Sequence, residues 1–200
     1  MELSEVVRRR RMVRNYRADP VDPAVVDDIL EIARTAPSAG FAQGQHFIVV
    51  TDEATRRAIA ELAEEPVYVA QGFDPWMSRA PVHVVVCAAE GDYHRRYREP
   101  DKLDEAGSEI DWPVPYWFVD AGAALMLLLL AAVDAGLAAG FFGFHRLTGL
   151  DDLLSIPGDV TPIGVVTLGY AAPDRPSGSL RRGRRARSEV IHRERWDVRS

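Results

Sequence analysis

Apolar positions along this chain follow two spacings, one helical and one continuous. Residues 2–11 can form an initial helix. "VDPAVVDDILEIARTA" predicts a second, with Asp22 as N-cap, Pro23 in the first turn and Val26, Ile29, Leu30 and Ala33 on one face; it must stop near Pro37. Short unbroken apolar runs then take over. "QHFIVV" and "PVHVVV" predict buried strands, separated by a helix over "DEATRRAIAELA" and a looser segment, "EEPVYVAQGFDPWMSRA". Residues 90–117 lack an apolar period and are rich in charge, proline and aromatic side chains, which predicts an excursion over the surface. A core helix follows over residues 118–137. "GFFGF" predicts a buried turn, "GLDDLLSI" a short helix and "PIGVVTLGY" a last strand before an arginine-rich tail.

This alternation of helix and strand, without an internal repeat or a linker, predicts a single domain over residues 1–200. The uncharged, strongly apolar run of residues 121–133 has 13 residues between Asp120 and Asp134. That is short of the roughly 20 that cross a bilayer, so a buried helix is expected and no membrane partner. "MELSEVV" carries no apolar leader, and a cytoplasmic location is expected. The one cysteine, Cys87, lies in "VHVVVCAA" and is expected as a small core residue.

Charge changes the picture at the ends. The formal net charge is −6, yet "RRRRMVRNYR" puts six arginines into ten residues near the start, and residues 175–200 hold nine more. Against these fifteen stand five acids, Glu2, Glu5, Glu189, Glu194 and Asp197, so the ends carry +10 and residues 18–174 carry −16. Only Lys102 is lysine. Arginine's planar fork suits bidentate phosphate binding, so one reading has both ends converging on a phosphate; the other has each run merely solvating a terminus. A nucleic-acid partner is not expected, because the net charge is negative and no RNA-recognition motif occurs.

Familiar catalytic signatures are missing. No G-x-G-x-x-G follows a strand, since "GLAAGFFG" has the wrong spacing, and neither G-x-x-x-x-G-K-[ST] nor G-x-S-x-G occurs. His46, His83, His94, His145 and His192 stand singly, so no metal is expected.

Three stretches remain: "RRRMVRNY" near the start, "APSAGFAQGQHFIVV" about 20 residues later, and "TLGYAAPDRPSGSLRRGRRARSEVIHRERW" at the end. In that order and spacing the chain resembles the nitroreductase family of FMN-dependent oxidoreductases, over nearly its whole length. The resemblance implies an α+β fold, a mixed, mostly antiparallel sheet flanked by helices, in an intertwined homodimer with FMN at two interface sites and the core helix as central contact. It implies that Arg10, Arg11, Met12 and Arg14 bind the flavin, and that Arg184 and Arg185, on a C-terminal arm over about 172–200, reach the same phosphate. Pro37, Ser38, Ala39, Gly40 and Gln43 form a flavin-binding loop that the family supplies from the partner subunit. Phe142 or Gly143 is expected to set an amide opposite flavin N5, while Arg14 stabilises the reduced ring; these three are the expected catalytic residues.

Departures from the family pattern narrow this reading. Met12 stands where the family usually has serine, and where its flavin-fragmenting, cobalamin-ligand branch has an essential aspartate. "FAQGQ" replaces N-x-Q-P-W and keeps Gln43. Trp112, Tyr116 and Trp117 fall in the segment, about 90–117, where the family varies its substrate cover; they either stack an acceptor or seal a dimer surface. The expected activity is ping-pong reduction of a nitroaromatic, quinone or similar planar acceptor by NAD(P)H. A non-catalytic flavin or deazaflavin binder, or a flavin-fragmenting enzyme of the cobalamin lower-ligand type, is the alternative.

Overall fold

"VHVVVCAA" is apolar without alternation because both faces of the strand it forms, β2 (Val82–Ala89), are covered. The computed structural model describes residues 1–143, 148–175 and 177–196. Besides β2 the sheet contains β1 (Gln45–Val50), β3 (Ala138–Gly143) and β4 (Val160–Gly169), in the order β1-β2-β4-β3. Every pairing is antiparallel, with Phe47 opposite Val86, Val85 opposite Val165 and Phe141 opposite Val166. The one parallel contact among the described residues is an isolated bridge from Met12 to Ala139. The fold is α+β, as expected.

On one face of the sheet, α2 (Pro23–Ala33) and α7 (Tyr116–Asp134) pack Ile29, Ala121, Leu128 and Leu129 against Val84 and Val86. Asp22 caps α2 by accepting the Ala24 amide at 2.9 Å. The other face carries α3 (Glu53–Leu62), which brings Ile59 to Val85 and Cys87. Burial pushes the Cys87 thiol up to about 11. By length and composition α7 could cross a membrane; here it lies on the sheet, with the buried Asp120, its fifth residue, hydrogen-bonded to Tyr93 and the Ala39 amide. It ends before residue 137 because Gly136, at φ 79°, turns the chain left-handed and the Leu137 amide returns to the Ala132 carbonyl at 2.8 Å.

Three segments differ from the sequence expectation. Residues 64–80 are not loose: they form α4 (Glu65–Ala70) and α5 (Trp76–Arg79), and Trp76 and Met77 are buried. Residues 90–117 begin with α6 (Glu90–Tyr97), continuous with β2. A single deeply buried residue, Tyr93, anchors this helix, while Glu90, Asp92, His94, Arg95 and Arg96 carry paired polar or charged groups, so no apolar period was visible. "GFFGF" is strand rather than turn up to Gly143, because Phe141 and Phe142 pair with Val166 and Val165. The short helix α8 (Leu150–Leu154) lies where expected. The first helix is shorter than expected, α1 (Leu3–Arg9).

Candidate functional site

The segment after α1 is too polar to enter the core and too apolar to leave it, and it resolves this by running along the sheet. The Val13 amide donates to the Ala139 carbonyl at 3.0 Å and the Arg17 amide to the Tyr170 carbonyl at 2.9 Å. Val13, Asn15 and Tyr16 are thereby buried. The close approach requires Gly140, where an added Cβ would sit 2.5 Å from the Val13 carbonyl oxygen and 2.9 Å from the Tyr16 hydroxyl. Tyr16 shares a hydrogen bond with the Thr167 hydroxyl at 2.7 Å, and burial holds its pKa well above the usual phenol range.

The two arginine-rich ends do meet, through an acid that lies between them in sign. Asp174 accepts the Arg11 guanidinium at 2.5 Å and the Arg14 amide at 2.9 Å, and the Asn15 side chain donates to the Pro173 carbonyl at 2.9 Å. Burial alone would raise the Asp174 pKa, but the Arg11 and Arg14 hydrogen bonds and charges outweigh it and hold the carboxyl below its usual range. With its amide so fixed, Arg14 lines a cleft of about 280 Å³, opposite the start of the C-terminal arm at Ser177 and Gly178.

The cleft brings together Arg14 and Phe142 from the expected set. Its other walls, Tyr68, Phe73, Trp76, Met77 and Phe141, went unnoticed in the sequence. The overlooked signal is the density of aromatic residues in "VYVAQGFDPWM", more than a solvated loop needs. Trp76 meets Phe142 edge-on, ring centroids 5.6 Å apart at 86°. Aromatic walls with one guanidinium form a donor set that suits a flat ring with a polar, electron-rich edge, as a flavin has. The volume lies just under the roughly 300–1,000 Å³ usual for ligand pockets.

Other expected residues lie outside this cleft. Met12 is half-buried at its bridge to Ala139. Arg11 is tied to Asp174, while Arg10 and Arg184 make no ion pair among the described residues. Arg185 stands 3.5 Å from Glu189 on the exposed arm, past a 3-10 turn at Gly178–Arg182. The loop from Pro37 to Gln43 lies at the other end of the sheet, against α6 and α7. The Ala39 amide donates to Asp120 at 2.8 Å, the Gln43 amide to the Ser38 hydroxyl at 2.9 Å, and the Gly40 carbonyl accepts Arg96 at 2.9 Å. Gly40, Phe41 and Gln43 all have positive φ, and Phe41 is 74% exposed.

Trp112, Tyr116 and Trp117 do not line the cleft either. Trp117 is buried, Trp112 meets Tyr97 at 4.5 Å, and the Trp112 indole donates to Glu109 at 2.8 Å. His94 also binds Glu109 and Glu90, whose hydrogen bonds and charges raise its pKa against partial desolvation. His145 lies outside the described residues, as does the Phe144 of "GFFGF".

Comparison with known proteins matches the family profile described as "Nitroreductase family" to residues 7–170. An FMN reductase [NAD(P)H] of Bacillus subtilis is 31% identical, over 96% of this chain and 74% of that one. An NADH dehydrogenase of Thermus thermophilus is 40% identical, over 83% of this chain and 85% of its own. Among solved structures, NfrA2 of B. megaterium superposes with a TM-score of 0.78 at 22% identity, covering 98% of this chain and 76% of that one.

Proposed function

Because this chain belongs to the nitroreductase family, we propose that it is an FMN-dependent oxidoreductase that takes electrons from NADH or NADPH and delivers them to a nitroaromatic, quinone or similar planar acceptor. The observation that carries this reading is the cleft that Arg14 and Phe142 line together within aromatic walls. Bound FMN would supply hydride acceptance and donation at its ring. The chain's part is to hold flat molecules and to bias charge. Arg14 favours negative charge on the ring edge lying against it, in a partly desolvated setting where that attraction is strong. As the outer strand, β3 leaves one row of amides without a strand partner, which fits the role assigned to Phe142 or Gly143. Arg10 with Arg184 and Arg185 is the set assigned to the phosphate. Arg11, held by Asp174, joins the two ends. One cleft serves donor and acceptor in turn, so no separate nucleotide-binding fold is required.

A homodimer belongs to the same reading. The loop over residues 37–43 is well formed yet absent from the walls of its own chain's cleft, so a second copy is the natural recipient. Phe118, Val119 and Met126 leave an exposed apolar stripe on α7, and Leu180 and Trp196 are exposed on the arm. Purified protein should carry flavin absorption bands that NADH or NADPH bleaches anaerobically and a quinone restores. Failure to bind added FMN overturns the proposal, and bound flavin that neither nucleotide reduces replaces it with a binding role.

A further inference from the structure

The wall of the cleft facing Phe142 is a four-residue helix, α5, too short to hold itself in place. Polar side chains from three other elements grip it. Glu65, from α4 and 5% exposed, accepts the Met77 amide at 2.6 Å and the Ser78 amide at 3.1 Å. His83, from β2 and fully buried, meets the Met77 carbonyl at 2.7 Å. A carbonyl can only accept, so Nε2 carries the proton, and Nδ1 is left as a buried acceptor without a partner among the described residues. Arg56, from α3, donates to the Ser78 carbonyl at 3.1 Å and the Ala80 carbonyl at 2.5 Å. Arg79 reaches from α5 itself to the Asn15 side chain at 3.0 Å, one residue from Arg14.

The Met77 peptide is thus held at both its N–H and its C=O by side chains buried for that purpose. Apolar residues would fill the same space but leave the Met77 and Ser78 amides and the Met77 carbonyl without these partners. What the grip achieves is position: Trp76 is set edge-on to Phe142, and Met77 closes the cleft beside it. His83 meets Phe142 at 6.2 Å and 79°, so the same imidazole touches both walls.

We propose that Glu65 and His83 are positioning residues which clamp α5, and that the wall so held, Trp76 with Met77, sets the size of planar ring the Arg14 cleft admits. The size-selection half rests on the oxidoreductase reading above; the clamp half does not. An unsecured α5 would drift outward, widen the cleft and favour larger rings.

Hydrogen exchange on the full-length protein tests the clamp. The Met77 and Ser78 amides should exchange at least tenfold faster in Glu65→Leu, which has no acceptor, than in the unsubstituted protein, with the β2 and β4 amides unchanged; equal exchange at Met77 and Ser78 overturns the clamp. Selection is read from the KM values for 1,4-benzoquinone and 9,10-phenanthrenequinone. Glu65→Leu should shift their ratio at least fivefold toward the larger ring while kcat for each stays within twofold. Trp76→Phe, which shortens the wall without touching the clamp, should move the ratio the same way and leave Met77 exchange as it was. A ratio unmoved by Trp76→Phe overturns the size selection. A protein that reduces neither quinone refutes the oxidoreductase reading, and with it the selection, and the exchange measurement still decides the clamp.

Discussion

Arg14 is the residue whose role is most open to measurement. Its backbone amide is pinned by Asp174 while the residue lines the cleft, so replacing the side chain leaves the scaffold in place. Arg14→Met keeps much of the length and removes the charge. With FMN bound, the two-electron potential should fall by an amount on the order of 30 mV, equivalent to about 1.4 kcal/mol less stabilisation of the reduced ring. Spectroelectrochemical titration reads this directly, and an unshifted potential in a normally folded variant removes Arg14 from the chemistry. His83 yields a prediction of a different kind. Burial depresses its pKa from 6.5 to about 4, so between those values the unfolded chain takes up a proton that the folded one refuses. Stability should therefore be insensitive to this group above pH 6.5 and fall as the pH drops toward 4, by about 3 kcal/mol at the bottom of the window. Urea unfolding at pH 7 and pH 4.5 measures the loss, and His83→Gln should flatten that part of the profile.

Among the elements, the docking of the N-terminal segment on β3 is the joint on which the site depends. Gly140→Ala would press a methyl group onto the Val13 carbonyl and the Tyr16 hydroxyl. It should cost about 1–3 kcal/mol in urea unfolding and loosen Arg14, so FMN affinity should fall with stability; a variant as stable as its parent would mean the joint is soft. Legibility also varied by element, for physical reasons. α2 was readable from Asp22, Pro23 and its apolar face because capping and periodicity are local. β1 was readable to the residue, since "QHFIVV" is bounded by turn signals. α4, α5 and α6 were not, because each is short and secured by a few long-range contacts such as Glu65 to Met77 and Tyr93 to Asp120. Tyr93 and Asp120 lie 27 residues apart, and although Glu65 and Met77 share one stretch of chain, no periodicity there marks them as partners.

For the whole molecule, the prediction is an obligate homodimer in which flavin loss and subunit dissociation are coupled, so that midpoints for the two coincide and rise together with added FMN. Light scattering across a dilution series tests it, and a flavin-loaded monomer would refute it.

The amino-acid sequence by itself determined the α+β class, the central strands, the capped helix α2 and the family, because burial pattern, capping and motif spacing are written in neighbouring residues. It also marked Arg14 and Phe142, which the fold does bring to one cleft. Only the tertiary structure decided the rest: that Asp174 fastens the two arginine-rich ends, that loop 37–43 does not line its own chain's cleft, and that α5 rather than Trp112 or Trp117 walls it. Those outcomes depend on which distant side chains can desolvate together. That is settled by packing across the sheet and not by spacing along the chain.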